Sequence, residues 1–224
     1  RIPLYERFRQ LECPSSFYKS MMDYAHQKGV KFCCSPFGLR SMEELLALNP
    51  DIVKIASPEL NHAPMLEYLA SYRKNQISRG ENPVPVIISS GVSKLEDIEK
   101  ALIILGKDNV SLLHCITSYP APEEEYNLRL IKTFSEKWGI DCGVSDHSLD
   151  PVLVPVLSVA CGGKIIEKHI TLSRETLGLD DPVALEGEMF ALMVHCVHQA
   201  EAALNRYGIE GPDYVINQLK SNAE

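Results

Sequence analysis

The sequence predicts an α/β fold of the (β/α)8 TIM-barrel type, incomplete, with six of the eight βα units present. Six apolar, β-branched runs recur along the chain, and each ends in small or polar residues before a helix-like stretch. Their starts lie 21 to 33 residues apart, the length of one βα unit. The runs are nearly continuous in apolar residues instead of alternating, as parallel strands covered on both faces are. Such repeats build either a closed barrel or an open doubly wound sheet. No G-x-G-x-x-G or Walker loop follows any run, which favours the barrel.

In order, strands are expected at 30–36 (VKFCCSP), 51–57 (DIVKIAS), 84–91 (VPVIISSG), 110–117 (VSLLHCIT), 141–148 (DCGVSDHS) and 164–172 (KIIEKHITL). Ser41 with Glu44, and Ser93 with Glu96, fit the capping box, in which a serine hydroxyl and a carboxylate satisfy the first backbone N–H groups of a helix. Leu45 and Leu46 follow the first cap, and Ile98, Leu102 and Ile103 the second. "GENPVP" at 80–85 reads as a loop feeding the third strand. A last long helix over about 186–207 carries Phe190, Met193, Val194, Val197 and Leu204 on one face. One partial-barrel domain is expected over 1–208, with a tail or the start of a linker over 209–224.

The chain has 224 residues, 45% of them apolar, enough for a sizeable core, and a formal charge of -8. With no Lys/Arg-rich run, a nucleic-acid surface is not expected, and the partner is read as a small molecule. Residues 151–163 (PVLVPVLSVACGG) are the longest candidate membrane stretch and are too short to span a bilayer. No secretory signal opens the chain, and Arg1 in place of Met points to a removed upstream segment. Seven cysteines without a C-x-x-C pair, mostly inside apolar runs, predict buried thiols and a reducing, cytoplasmic setting.

Two histidines, His147 of "SDHS" and His169 of "EKHI", end successive strands. On neighbouring strands both rings would reach one divalent ion, Mn²⁺, Mg²⁺ or Zn²⁺, although strand-end histidines also serve as hydrogen-bonded core residues. Lys54 sits inside an apolar strand, where a cation is costly unless an anion or carboxylate meets it; an ion pair with Glu59 or Glu167 is the bland alternative. Strand alternation turns either Lys54 or Ile55 to the barrel axis. Lys168 poses the same question beside His169. "ISSG" at 88–91 and "ITSYP" at 116–120, with Thr117, supply hydroxyls and N–H groups that suit phosphate or carboxylate, yet also simply make turns. His114, Cys115 and Ser118 form no convincing nucleophile set, and no G-x-S-x-G elbow occurs. His195 and His198 on the last helix read as packing or solvent-facing residues.

The stretches "FCCSPFGLRSMEELLALNPDIVKIASPEL", "VIISSGVSKLEDIEKAL", "LLHCITSYPAPEEEYNLRLIKTF", "GVSDHS", "IIEKHITL" and "GLDDPVALEGEMF" together resemble the sialic acid synthase family, in order, from about residue 4 to 208. The resemblance implies condensation of phosphoenolpyruvate with N-acetylmannosamine, its 6-phosphate or a related N-acyl hexosamine to give a nonulosonate. It implies that His147 and His169 bind the metal, Mn²⁺ or alternatively Mg²⁺, and that Lys54, Ser57, Ser89 and Ser145 hold phosphoenolpyruvate. It places Glu59, Tyr119 and Asp180 toward the sugar, with Thr117 among the substrate-binding residues. Glu59, Lys54, His147 and His169 are the expected catalytic set. Where the family commonly has "GPDH", this chain has "GLDD", keeping Asp180 while Leu179 and Asp181 depart. Two initial βα units, one with a "KFQ"-like motif, and an antifreeze-like C-terminal domain completing a swapped homodimer have no counterpart here. Another phosphoenolpyruvate-condensing or metal-dependent aldolase, or a non-catalytic truncated homologue, are the alternatives. An open barrel is expected to expose apolar edges at 30–36 and 164–172.

Overall fold

The computed structural model describes residues 3–176 and 178–205; the tail expected at 209–224 lies outside them. The chain divides into two compact units, Arg1–Ser111 and Leu112–Glu224. In the first, α1 (Pro3–Gln10) and α2 (Ser15–Gln27) precede β1 (Cys33–Cys34), α3 (Leu39–Ala47), β2 (Ile52–Ile55), α4 (Ala63–Ser78), β3 (Val86–Ser89) and α5 (Leu95–Leu105). β1 pairs with β2 and β2 with β3, all parallel, with Cys34 opposite Val53 and Lys54 opposite Ile87. Parallel neighbours need a crossover, and α3 and α4 supply it. Val53, Ile55, Val86 and Ile88 are buried, and α3 turns Met42, Leu45 and Leu46 inward at helical spacing. Fully burying each such side chain stabilises by about 1.5–3 kcal/mol. On α4 the buried Arg73 donates from Nε to the Val84 carbonyl (3.1 Å), from Nη1 to that of Leu105 (2.7 Å) and from Nη2 to that of Asp108. It ties the loop ahead of β3 to the end of α5.

The second unit holds most of β4 (Val110–Cys115), then α6 (Arg129–Trp138), β5 (Cys142–Asp146), α7 (Leu153–Ala160), β6 (Ile166–Lys168), β7 (Ile170–Thr171), β8 (Leu185–Glu186) and α8 (Gly187–Asn205). β4, β5 and β6 pair in parallel, with Leu113 opposite Gly143 and Val144 opposite Ile166. On α6, Ile131, Phe134 and Trp138 recur every three or four residues and are all buried. The helix stops at Gly139, whose φ of 65° is the left-handed cap that glycine adopts without strain. Gly143 is needed for another reason: a Cβ there would lie 1.9 Å from the Ile165 carbonyl oxygen. Only a residue without a side chain lets β5 approach the start of β6 so closely.

Several local expectations are corrected. α3 begins one turn early, at a Gly38 cap, so Ser41 lies inside it and its hydroxyl bonds back to the Phe37 and Gly38 carbonyls (2.8 and 3.0 Å). In α5 the cap is Lys94, whose N–H donates to Asp97 Oδ2 (3.0 Å), while Ser93 bonds to the Gly91 carbonyl. Both boxes fail because the backbone turns in a residue or more away from the serine. The final run is two strands, since β7 leaves β6 at His169 and pairs with β8 in a separate two-stranded sheet. Only Cys115 and Cys142 of the seven cysteines are buried; Cys13 lies between α1 and α2, Cys33 and Cys34 make up the short β1, and Cys161 and Cys196 are half-buried at the end of α7 and on α8; all seven are free thiols. On α8, Met193 is buried while Val194 and Leu204 are exposed, beside a groove of about 430 Å³ lined by Val159, Ile166, Val197 and Leu204. Val30 in the first run, and Ile170 and Leu172 in the last, stand exposed, but Val30 precedes β1, Ile170 lies in β7, which pairs with β8, and Leu172 follows it, so their exposure does not test the edges expected at β1 and β6. Among the described residues no helix is long and apolar enough to cross a membrane.

Candidate functional site

In the second unit, β5 and β6 run in register with Ser145 opposite Glu167 and Asp146 opposite Lys168. Strand alternation therefore sends Ser145 and Glu167 to one face and Asp146 and Lys168 to the other. The Ser145 hydroxyl donates to Glu167 Oε1 (2.6 Å) and lies 3.3 Å from His147 Nε2. The two imidazoles face each other with ring centroids 5.5 Å apart. Tyr119 stacks on His147 at 4.1 Å and meets His169 edge-on at 5.8 Å. Asp180 Oδ2 lies 3.7 Å from His169 Nδ1.

The tautomer of His147 follows from its partners. The Ile116 carbonyl, 2.8 Å from Nδ1, can only accept, so Nδ1 carries the proton and Nε2 presents a lone pair. The one hydroxyl hydrogen of Ser145 is committed to the nearer Glu167, so an oxygen lone pair faces Nε2. Burial pushes the His147 pKa below its usual value, which favours the neutral ring and which the Ile116 hydrogen bond partly opposes. A neutral imidazole fixed by Nδ1–H to a carbonyl is the arrangement that offers Nε2 to a cation. The Tyr119 hydroxyl is pushed up to about 12, first by burial and then by Cys115, Asp180 and Glu167, so it acts as a hydrogen-bond donor.

The first unit holds a different cluster. Lys54 is buried and its Nζ donates to the buried Ser89 hydroxyl at 2.8 Å. Ser57, at the start of a 3-10 turn after β2, accepts the Gly91 N–H at 3.0 Å. Val92 next to it has φ 53°, a left-handed backbone that a β-branched residue adopts only under strain. Glu59, closing the 3-10 turn, pairs through Oε2 with Nδ1 of His62 at 2.7 Å.

Of the residues expected from the sequence, Ser145, His147, His169, Tyr119 and Asp180 are gathered in one cluster, and Lys54 with Ser89, and Ser57 with Gly91, are paired. Thr117 is exposed in the loop between Ile116 and Tyr119. Lys168 joins Asp146 on the opposite face of the sheet. His195 and His198 are exposed on α8. Sequence reasoning passed over His62, although its i,i+3 spacing from Glu59 was visible, and over Tyr126, whose hydroxyl contacts the backbone of His147 (2.7 Å). Among the described residues no group of three or more His, Cys, Asp or Glu side chains is arranged to hold a metal. The two imidazoles are the groups that could hold a cation here, and water or substrate oxygen would have to complete its coordination shell.

Residues 1–208 match the family described as the NeuB family. The chain is 37% identical over 203 residues to an uncharacterized protein of Methanocaldococcus jannaschii, covering 89% of this chain and 57% of that protein. It is 31% identical over 201 residues to the N,N'-diacetyllegionaminic acid synthase of Campylobacter jejuni, covering 88% and 57%. Its structure is similar to that of the N-acetylneuraminic acid (sialic acid) synthetase of Leptospira borgpetersenii solved in complex with citrate, with a TM-score of 0.84 and 28% identity over 95% of this chain and 72% of that one. The chain spans just over half the length of the curated relatives it matches.

Proposed function

Because the chain belongs to the NeuB family, we propose that it serves a nonulosonate synthase that joins phosphoenolpyruvate, an N-acyl hexosamine and water to give a sialic acid-type nine-carbon keto acid and phosphate. The observation that carries this reading is the facing pair His147 and His169, with Nε2 of His147 presenting its lone pair beside Tyr119. The parallel strands of the two units, with helices between them, are consistent with that reading.

The two imidazoles are the residues that would hold a divalent cation, Mn²⁺ or Mg²⁺, which supplies Lewis-acid polarisation of the sugar aldehyde when bound. Lys54, bonded to Ser89, and Ser57, which accepts the Gly91 N–H in the same unit, offer charge and hydroxyls to the carboxylate or phosphate of phosphoenolpyruvate. Carbon 3 of phosphoenolpyruvate attacks the aldehyde carbon, whose oxygen takes up a proton to become a hydroxyl, and water adds at carbon 2. Glu59 accepts the proton of that water, held in orientation by His62. The C–O bond to phosphate then breaks, releasing phosphate and leaving the keto group. Tyr119 and Asp180 orient the sugar.

Phosphate release from phosphoenolpyruvate with N-acetylmannosamine and Mn²⁺ tests the proposal. Release that requires the sugar and disappears in His147→Ala is the expected result. A folded protein that releases no phosphate with N-acetylmannosamine, its 6-phosphate or a diacetamido-dideoxy hexose would sink it. Release driven instead by a phosphorylated aldose would move the chain to another phosphoenolpyruvate-condensing activity.

A further inference from the structure

Behind the two histidines, on the other face of β5 and β6, lies a closed polar network. Asp146 Oδ2 and Lys168 Nζ pair at 2.7 Å, with both side chains wholly removed from solvent. Lys168 Nζ also donates to the Ser148 carbonyl at 2.6 Å and lies 3.4 Å from the Ser148 hydroxyl. Asp146 Oδ1 accepts the Ser148 N–H at 2.8 Å and the Tyr126 hydroxyl at 2.9 Å. That same hydroxyl accepts the N–H of His147 at 2.7 Å.

Each ammonium direction and both carboxylate oxygens are thereby used. A buried ion pair adds little net stability over apolar side chains of similar volume, because desolvation offsets the attraction. What such a network does supply is a fixed geometry. Here the geometry belongs to His147 and His169, each the next residue after a member of the pair. The main chain of His147 is held from both sides, its N–H by Tyr126 and its carbonyl by the Ala121 N–H at 3.1 Å. The side chain of Lys168 anchors the last residue of β6, from which the chain turns at His169 into β7.

We infer that Tyr126, Asp146 and Lys168 are positioning residues that fix the backbone under the two imidazoles, so that the rings keep their separation and His147 its tautomer before anything binds. The inference rests on the reading of the two histidines as a cation-binding pair. Tyr126→Phe removes only the hydroxyl. The double variant Asp146→Leu with Lys168→Met replaces the ion pair by apolar volume without stranding either charge, which guards against simple misfolding.

Two measurements on the intact protein, made well below the unfolding midpoint of each variant, decide the matter. The first is the ¹⁵N imidazole shift of His147 without metal, expected to report one Nδ1–H tautomer in the parent protein and a mixture in both variants. The second is Mn²⁺ affinity by electron paramagnetic resonance, expected to fall about 10–100-fold in the variants, as second-layer losses do at metal sites, with kcat falling while KM for phosphoenolpyruvate holds. Unchanged tautomer and unchanged Mn²⁺ affinity alongside lowered stability would overturn the inference and leave the network a packing device. If the parent protein binds no Mn²⁺, the reading of the histidines fails by itself, and the tautomer measurement still decides whether the network positions them.

Discussion

Lys54 in the first unit and His147 in the second both sit at the C-terminal end of a parallel strand, yet they are held by different means. Lys54 points its ammonium at a serine hydroxyl, and the neighbouring pair is another serine with a glycine N–H, close to the strained turn at Val92. Hydroxyls rotate, and loop N–H groups shift at small cost. His147 has its ring nitrogen, its N–H and its carbonyl each committed to a partner, and its neighbours rest on a buried ion pair. The difference matches the proposed ligands. An anion with several oxygens tolerates adjustable donors, whereas a small cation needs lone pairs fixed in direction.

Three substitutions in the first unit sharpen or break that contrast. Glu59→Gln should have the largest effect, lowering kcat by about 10²–10⁴-fold, the range for loss of a general base, with KM for phosphoenolpyruvate little changed. A loss under tenfold would remove Glu59 from proton handling. Lys54→Met should raise KM for phosphoenolpyruvate by about 10–100-fold, from a charged hydrogen bond of about 1.5–3 kcal/mol. Mn²⁺ affinity should stay at the parent value, and a parallel fall in it would mean that the two clusters are not separable in role. The smallest effect is expected from Val92→Gly. Relief of left-handed strain should raise stability by about 1 kcal/mol in urea unfolding, because that strain outweighs the entropy lost by glycine. If the variant is less stable, the turn is not strained in the sense argued.

The sequence carried the six strands because each βα repeat announces itself by an apolar run and a polar end. It carried the histidine pair because one repeat length separates His147 from His169, which are twenty-two residues apart. It did not carry the network behind them. "SDHS" and "EKHI" alternate in the right way, but which residues share a face depends on the register Asp146 opposite Lys168, and a one-residue slip would exchange the faces. Tyr126 was out of reach because it arrives from a loop after β4, with no periodic signal to mark it. The helix caps were misplaced because a serine three residues before a glutamate says nothing about where the backbone enters its turn, which Gly38 and Asp97 decide. His62 shows the converse: the spacing was there, but a histidine beside a carboxylate at a helix start has many uncatalytic reasons to occur.

Gly143 gives the spacing of the imidazoles an unexpected guardian. The residue carries no functional group and lies two positions before Ser145, yet a Cβ on it would collide with the Ile165 carbonyl oxygen at 1.9 Å, in the strand pair where Ser145 stands opposite Glu167. Randomising its codon should return glycine and nothing else, alanine included, since one methyl group would wedge the strands apart. A chemically silent position, with no side chain to offer the reaction, is therefore expected to be as intolerant of change as the histidines themselves.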